Sequence, residues 1–155
     1  MSDIEIKLTV FRELEQKLTQ LPLRVAKNIL ARTVYAGAAI VRNEARSKCP
    51  VRTGALRKSI RIRRRKVSRG DFMVVYGVGP TVYYGHLVEY GTKAHWIKPR
   101  VKRDLAIGQN VRAKVYHPGA TPRPYLRPAL DSNKDRIISA MRDKLNEGIS
   151  REFAK

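Results

Sequence analysis

The longest regular pattern in the sequence runs from Leu23 to Ser47 and constrains the fold more than any other feature. Apolar residues recur there every three or four positions, which predicts a long amphipathic helix. Its apolar side consists of Val25, Ile29, Thr33, Ala36 and Ile40, broadened by Leu30, Val34, Ala38, Val41 and Ala45. The small residues of "AGAA" at 36–39 would let another element approach closely. We expect the helix to end before Pro50, since the residue before a proline avoids the helical conformation.

Two alternating runs after this helix predict a β-hairpin. The run "SIRIRRRKV" at 59–67 places Ile60 and Ile62 on one side of a strand and Arg61 and Arg63 on the other. "SRGD" at 68–71 is typical of a turn, and "FMVVYGVGP" at 72–80 predicts the second, antiparallel strand. Just before the hairpin, Thr53 is positioned to cap a short helical turn.

The remaining segments predict elements at the two ends and one irregular region. Residues 1–10 alternate apolar and polar side chains, as in an edge strand or an arm, and residues 11–21 have helical spacing. We expect a short helix capped by Gly91 and a longer amphipathic helix over 126–153. Residues 93–124 contain four prolines and no clear period, so an extended loop or arm is predicted there.

Together these elements predict a single domain over residues 1–155 in the α+β class. A long N-terminal helix and a C-terminal helix would pack on a small, mostly antiparallel sheet that carries a long basic loop. The lone Cys49 cannot form an internal disulfide. The first residues are acidic where a signal peptide needs basic ones, and no run reaches the roughly 20 apolar residues of a membrane span. We therefore expect a protein made in the cytoplasm, with no membrane partner.

The net charge of +20 is concentrated in the middle of the chain. Residues 22–70 hold fifteen basic side chains against one acidic residue, Glu44, whereas both ends are nearly balanced. Because the charge lies within periodic sequence, it indicates a folded surface of positive potential. Arg63 to Lys66 are consecutive, so alternation would send some of them to each face of the strand. A solvated hairpin end and a surface that faces an acidic partner both account for them, and we favour the second.

The residue pattern does not favour catalysis, a cofactor or a bound metal. The three histidines are His86, His95 and His117. They are scattered, and none has further ligands at metal-binding spacing. Only three carboxylates lie between residues 45 and 130, and among these we expect Glu89 to lie on the surface or to pair with an arginine. Cys49 is expected to be a small residue at a helix end, not a nucleophile.

Three segments in order carry a family resemblance: "CPVRTGALRKSI" at 49–60, "YYGHLVEYGT" at 83–92 and "ATPRPYLRPAL" at 120–130. Together they resemble the tail-completion, or neck, proteins of long-tailed bacteriophages and prophages. The positions that match the family pattern are Pro50, Thr53, Gly54, Leu56, Ser59, Tyr84, Gly85, Glu89, Gly91, Thr92, Pro124, Leu126, Pro128 and Ala129. The resemblance spans about residues 10–150. A long basic insert between Thr92 and Pro118 departs from it.

The resemblance implies a non-enzymatic virion protein at the junction between capsid and tail, made in the cytoplasm of the bacterial host. It implies the same α+β fold, partners among the other head–tail junction and tail proteins, and a closed homo-oligomeric ring, with a hexamer favoured. Mutual repulsion between subunits of such high charge would favour monomers until a partner or DNA is present. The motif residues are expected to have structural roles.

A ring that DNA traverses would gain from a basic lining that attracts phosphates without reading bases. The candidate residues for such a lining are Arg61, Arg63, Arg64, Arg65, Lys66, Lys98, Arg100, Lys102 and Arg103. Docking on acidic surfaces of neighbouring virion proteins is a rival use of the same residues. The alternative to the family interpretation is a sequence-independent nucleic-acid-binding domain.

Overall fold

The computed structural model describes residues 22–65, 73–99, 105–107 and 110–154. The helices are α1 (Leu23–Lys48), α2 (Ala55–Ser59), α3 (Gly85–Tyr90), α4 (Leu126–Asp131) and α5 (Lys134–Phe153). The strands are β1 (Ile60–Arg65), β2 (Val75–Pro80), β3 (His95–Ile97), β4 (Leu105–Ile107), β5 (Asn110–Arg112) and β6 (Val115–His117). The elements predicted at 1–10 and 11–21 lie outside the described residues.

The long helix α1 confirms the prediction for residues 23–47, and α5 packs along it. The two helices approach closely at a glycine on each. A Cβ atom on Gly37 would lie 2.9 Å from Sδ of Met141, and one on Gly148 would lie 2.8 Å from Cγ2 of Ile29. The "AGAA" run therefore does what its small side chains predict, since any larger residue at position 37 would push α5 away.

The predicted hairpin is present as β1 and β2, which pair antiparallel with Ile60 opposite Pro80 and Arg65 opposite Val75. Both strands pack against α1. Ile60 is fully buried, and Tyr76 on β2 meets Tyr35 of α1 edge to face, with ring centroids 5.7 Å apart. One face of this two-stranded sheet is thus covered by the long helix, which supports the α+β class.

The centre of the core lies where α1 ends and α4 begins. Its buried residues are Ala45, Cys49, Leu56, Ile60, Tyr125 and Ala129. Cys49 follows α1 directly and is buried, which confirms the expected small residue at a helix end. Burial raises the pKa of the Cys49 thiol, which favours its protonated form.

Residues 93–124 contain more regular structure than the sequence predicts. Instead of a plain loop, β3 pairs with β6 and, further out, β4 pairs with β5, both antiparallel. At the base, Thr92 and Ala120 exchange two backbone hydrogen bonds of 3.0 Å. Each strand has only three residues, which is too short for alternation to show in the sequence.

The predicted C-terminal helix is divided into α4 and α5 by Ser132 and Asn133. The Ser132 hydroxyl donates to the carbonyl of Pro128 at 2.6 Å, and the Asn133 amide donates to that of Ala129 at 3.0 Å. The N–H of Ser132 still donates to the Pro128 carbonyl, but the N–H of Asn133 donates to Leu130, so the Asn133 side chain replaces the backbone donor that a continuous helix would give to Ala129. Such competition with backbone hydrogen bonds is typical of Ser and Asn.

Candidate functional site

Two of the motif segments, far apart in the chain, are joined by one buried carboxylate. Glu89 on α3 is only 4% exposed. Its carboxylate accepts hydrogen bonds from the backbone N–H groups of Tyr125 at 2.8 Å, Leu126 at 2.9 Å and Arg127 at 3.0 Å. The first N–H groups of a helix have no acceptor within that helix. Glu89, from the neighbouring helix α3, accepts their hydrogen bonds at the start of α4, as the side chain of a capping residue usually does.

The expectation of a surface or arginine-paired Glu89 is therefore wrong. Its partners are backbone amides, which belong to every residue and leave no trace in the sequence. The only available signal is a carboxylate placed between apolar residues of a short helix, in "HLVEYG" at 86–91. Such a group must find partners when it is buried.

Tyr125 lies beside this contact and is completely buried. Its hydroxyl donates to the carbonyl of Gly85, 3.3 Å away. Burial raises the pKa of Tyr125 to about 12, and Cys49 and Glu89 add to the shift. A Cβ atom on Gly85 would collide with the ring of Pro80, so α3 can reach the sheet only with glycine at this position.

The other two motif glycines occupy left-handed backbone conformations. Gly54 has φ +76° before α2, where Thr53 Oγ1 accepts a weak hydrogen bond from the Ala55 N–H at 3.4 Å. Gly91 has φ +71°, and a Cβ atom there would lie 2.5 Å from the carbonyl oxygen of Ala120. The helix end at Gly91 is confirmed, whereas the cap predicted at Thr53 is wrong, because Gly54 is the N-cap residue of α2 and no side chain caps the helix there.

The remaining motif positions frame the same region. Leu56, Ser59 and Ala129 are buried, Pro50, Tyr84, Thr92, Leu126 and Pro128 are half-buried, and Pro124 is exposed. Parts of all three segments also line an open groove of about 1100 Å³. The motif pattern therefore marks one continuous part of the fold, with a core on one side and a groove on the other.

The basic candidates on β1 divide between the two faces of the sheet, as consecutive residues must. Arg61, Arg63 and Arg65 share the face that points away from α1, and we call these three side chains the arginine face. Arg64 points to the other face of the sheet and pairs in register with Tyr76 on β2. All four are exposed.

Glycines leave the arginine face open. Arg61 lies opposite Gly79 and Arg63 opposite Gly77, so no side chain on β2 covers them. Arg65 leans across the strand pair, and a Cβ atom on Gly77 would lie 3.2 Å from its Nε. The result is a surface on which three arginine side chains are exposed to solvent.

The arginine face has no internal counter-charge within the described ranges. None of its residues forms an ion pair there. Carboxylates on the helices pair locally instead, as Glu44 does with Lys48 and Glu147 with Lys144 and Arg151. Within the described ranges, no carboxylate pairs with the positive charge of the arginine face.

Of the remaining candidates, Lys98 is described, and it lies next to a separate sheet. Lys98 is exposed just beyond β3, a strand that pairs with β6 and not with β1 or β2. Lys66, Arg100, Lys102 and Arg103 lie outside the described residues. The described part of the predicted lining thus consists of the arginine face, Arg64 and a separate Lys98.

Two of the scattered histidines come together. His95 and His117 lie opposite each other on β3 and β6, and their rings stack with centroids 5.2 Å apart. Among the residues described, no group of three or more His, Cys, Asp or Glu side chains is placed to hold a metal ion. Within the same ranges, no helix is both long and apolar enough to cross a lipid bilayer.

Comparison with known protein families gives one match. Residues 12–91, about half of the chain, match the family model HK97-gp10_like, described as "Bacteriophage HK97-gp10, putative tail-component". The chain belongs to the HK97-gp10-like family of phage tail components. No curated protein and no solved structure matches the chain.

The match to the HK97-gp10-like family covers the first motif segment and the second as far as Gly91, and the third segment at 120–130 lies outside it. It confirms the family resemblance seen in the sequence. A member of this family is a structural component of a phage particle, which implies association with other tail or neck proteins and no catalytic role. Glu89, the residue that joins the second segment to the third, lies within the matched range.

Proposed function

We propose that this chain is a subunit of the head–tail junction ring whose arginine face contacts the phosphates of the DNA that passes through it. The observation that carries this proposal is the exposed row of Arg61, Arg63 and Arg65, which forms no ion pair within the described residues and in which Arg61 and Arg63 lie opposite glycines. Membership in a family of tail components supports a place in the tail of the particle, and the basic surface supports a position near DNA.

The geometry of the arginine face suits a polyanion more than a single acidic group. Alternate residues on a strand lie roughly 6.8 Å apart, so the Cα atoms of the three arginines span about 14 Å along the strand. Guanidinium groups bind phosphate oxygens in a bidentate fashion. Contacts of this kind to the phosphate backbone are independent of base sequence.

The charge also bears on ring assembly. Subunits of net charge +20 repel one another, so we expect the isolated protein to be monomeric. Within the particle, DNA and acidic neighbours would offset this repulsion and allow a closed ring, for which we favour six copies.

The test is duplex binding by purified protein across a salt series. Replacing Arg61, Arg63 and Arg65 with alanine should lower affinity for random-sequence duplex and reduce the slope of log K against log salt by about 2 to 3, since each lost phosphate contact contributes about 0.9. The matched control replaces three exposed arginines elsewhere, which are Arg24, Arg136 and Arg142. It removes the same charge and should reduce the slope much less.

Equal effects of the two triple variants would show a general charge effect and reject the arginine face as the DNA contact. If the unmodified protein fails to bind duplex even at low salt, docking on acidic virion proteins becomes the function of this face. Deleting the gene separates the junction role from the alternative of a free nucleic-acid-binding domain. The junction role predicts unattached heads and tails, whereas the alternative predicts normal particles.

A further inference from the structure

We call the buried contact of Glu89 with Tyr125 and the core residues around it the motif core. The groove beside the motif core has features that the DNA contact does not use. It holds about 1100 Å³ and is open to solvent. Its walls come from the chain that follows α1, from α3 and from the segment before α4, so all three motif segments contribute. The groove is a separate surface from the arginine face, because no residue of β1 lines it.

Apolar side chains line this groove without being covered. Val51 is 60% exposed and Leu87 is 37% exposed. Leu56 and Val88 lie deeper, where they join the core. Exposed apolar groups that line a concave surface are typical of a site that another chain covers.

The rim of the groove is basic. Arg52 and Arg123 are exposed and line it together with His117, and none of the described residues that line the groove is a carboxylate. Glu89 lies behind the wall with its carboxylate directed to the backbone of α4. An acidic occupant therefore gains attraction at the rim, whereas a second copy of this strongly cationic chain would be repelled.

The walls are held in place before any partner binds. The N–H of Arg123 donates to the carbonyl of Val88 at 2.8 Å, which joins the third segment to α3. Thr92 and Ala120 exchange backbone hydrogen bonds at the end of the groove. A preformed site loses little conformational entropy when an occupant enters, which favours binding of an extended segment.

We propose that this groove binds an extended segment of a neighbouring virion protein in which carboxylates flank apolar side chains. The apolar side chains would cover Val51 and Leu87, and the carboxylates would pair with Arg52 and Arg123. This proposal rests on the proposed role at the head–tail junction, where a neighbour is at hand. It assigns DNA and protein to two different surfaces of the same subunit.

Binding of labelled peptides to the full chain tests the groove. The probes are three eight-residue peptides of alternating sequence, with leucine combined with glutamate, serine or lysine, followed by fluorescence anisotropy. We expect the glutamate peptide to bind at least tenfold more tightly than the serine peptide and the lysine peptide not to bind. Replacing Arg52 and Arg123 with glutamate should reverse the preference between the acidic and basic peptides.

Two further variants locate the contact. Leu87→Asp should abolish binding of the glutamate peptide, and the alanine variant of the arginine face should retain it. Binding that falls with the arginine-face variant and not with the Arg52 and Arg123 variant would overturn the proposal, as would equal affinity for the serine and glutamate peptides. Self-association that the Leu87→Asp change abolishes would show a second copy to be the occupant instead.

Measurement of duplex binding shows whether the groove proposal or the proposed DNA contact has failed. The Arg52 and Arg123 variant should retain most of its DNA affinity if the arginine face is the DNA contact. Loss of peptide binding with DNA binding intact would confirm two independent surfaces. Normal DNA binding with no groove-dependent peptide binding would reject the groove proposal alone.

Discussion

The motif core and the arginine face treat their polar groups in opposite ways. In the core, the carboxylate of Glu89 and the hydroxyl of Tyr125 have protein partners, and both side chains are buried. On the arginine face, Arg61, Arg63 and Arg65 are exposed and without an ion pair in the described part of the chain. A group that the fold satisfies contributes to stability, whereas a group that the fold leaves unsatisfied is available to a partner.

The largest expected effect comes from removing the carboxylate at the centre of the core. Glu89→Ala leaves three amides at the start of α4 without their acceptor, and we expect it to lower the free energy of unfolding by about 3 to 4 kcal/mol. Glu89→Gln keeps one acceptor oxygen and should lose less. Urea denaturation followed by circular dichroism measures both.

The control for this change is Glu147→Ala, which removes an exposed carboxylate from surface ion pairs with Lys144 and Arg151. Surface pairs contribute little, so this variant should unfold at nearly the same urea concentration as the unmodified protein. If Glu89→Ala behaves like Glu147→Ala, Glu89 does not join the motif segments and the comparison between the two regions fails.

A pair of glycines separates backbone strain from steric collision. Gly54→Ala places a side chain at φ +76° with open space around it, and we expect a loss of about 1 kcal/mol from the left-handed conformation alone. Gly91→Ala has a similar φ but directs its Cβ at the carbonyl oxygen of Ala120, so about 2 to 3 kcal/mol should be lost. Equal losses would show that the close approach at Gly91 relaxes without cost.

Local patterns predict the elements of this fold well, since they depend on neighbours in sequence. The period of α1, the alternation of β1 and β2, and the glycine at the end of α3 all lead to the observed structure. The faces of β1 could also be assigned, because alternation alone decides them. The exposed arginines of the candidate DNA contact could therefore be named from sequence.

Contacts between distant segments could not be predicted in the same way. The hydrogen bonds of Glu89 join residues 36 to 38 positions apart through backbone groups that every residue carries. The stacking of His95 on His117 depends on the register of strands only three residues long. The groove depends on all three motif segments at once, so it becomes visible only when they are assembled.

Alkaline pH should weaken the core without acting on the arginine face. Burial raises the pKa of Tyr125 to about 12 from its usual value of 10. Between these values the unfolded chain loses the proton and the folded chain keeps it, so stability is fully present below pH 10 and falls as the pH rises toward 12. Thermal unfolding at several pH values measures this loss, and Tyr125→Phe should remove most of it. A pH dependence unchanged by Tyr125→Phe would assign the loss to other groups.

The smallest expected effect on stability is at the arginine face, where it is most informative. Arg61, Arg63 and Arg65 have the same charge on one strand face, so replacing them with alanine removes repulsion along with their contacts. We expect the free energy of unfolding to change by less than about 0.5 kcal/mol, as for ordinary surface substitutions. Thermal unfolding of the variant used for duplex binding measures this. A large fall in melting temperature would make these arginines structural, because an unpaired charge kept for a partner contributes to binding and leaves folding almost unchanged.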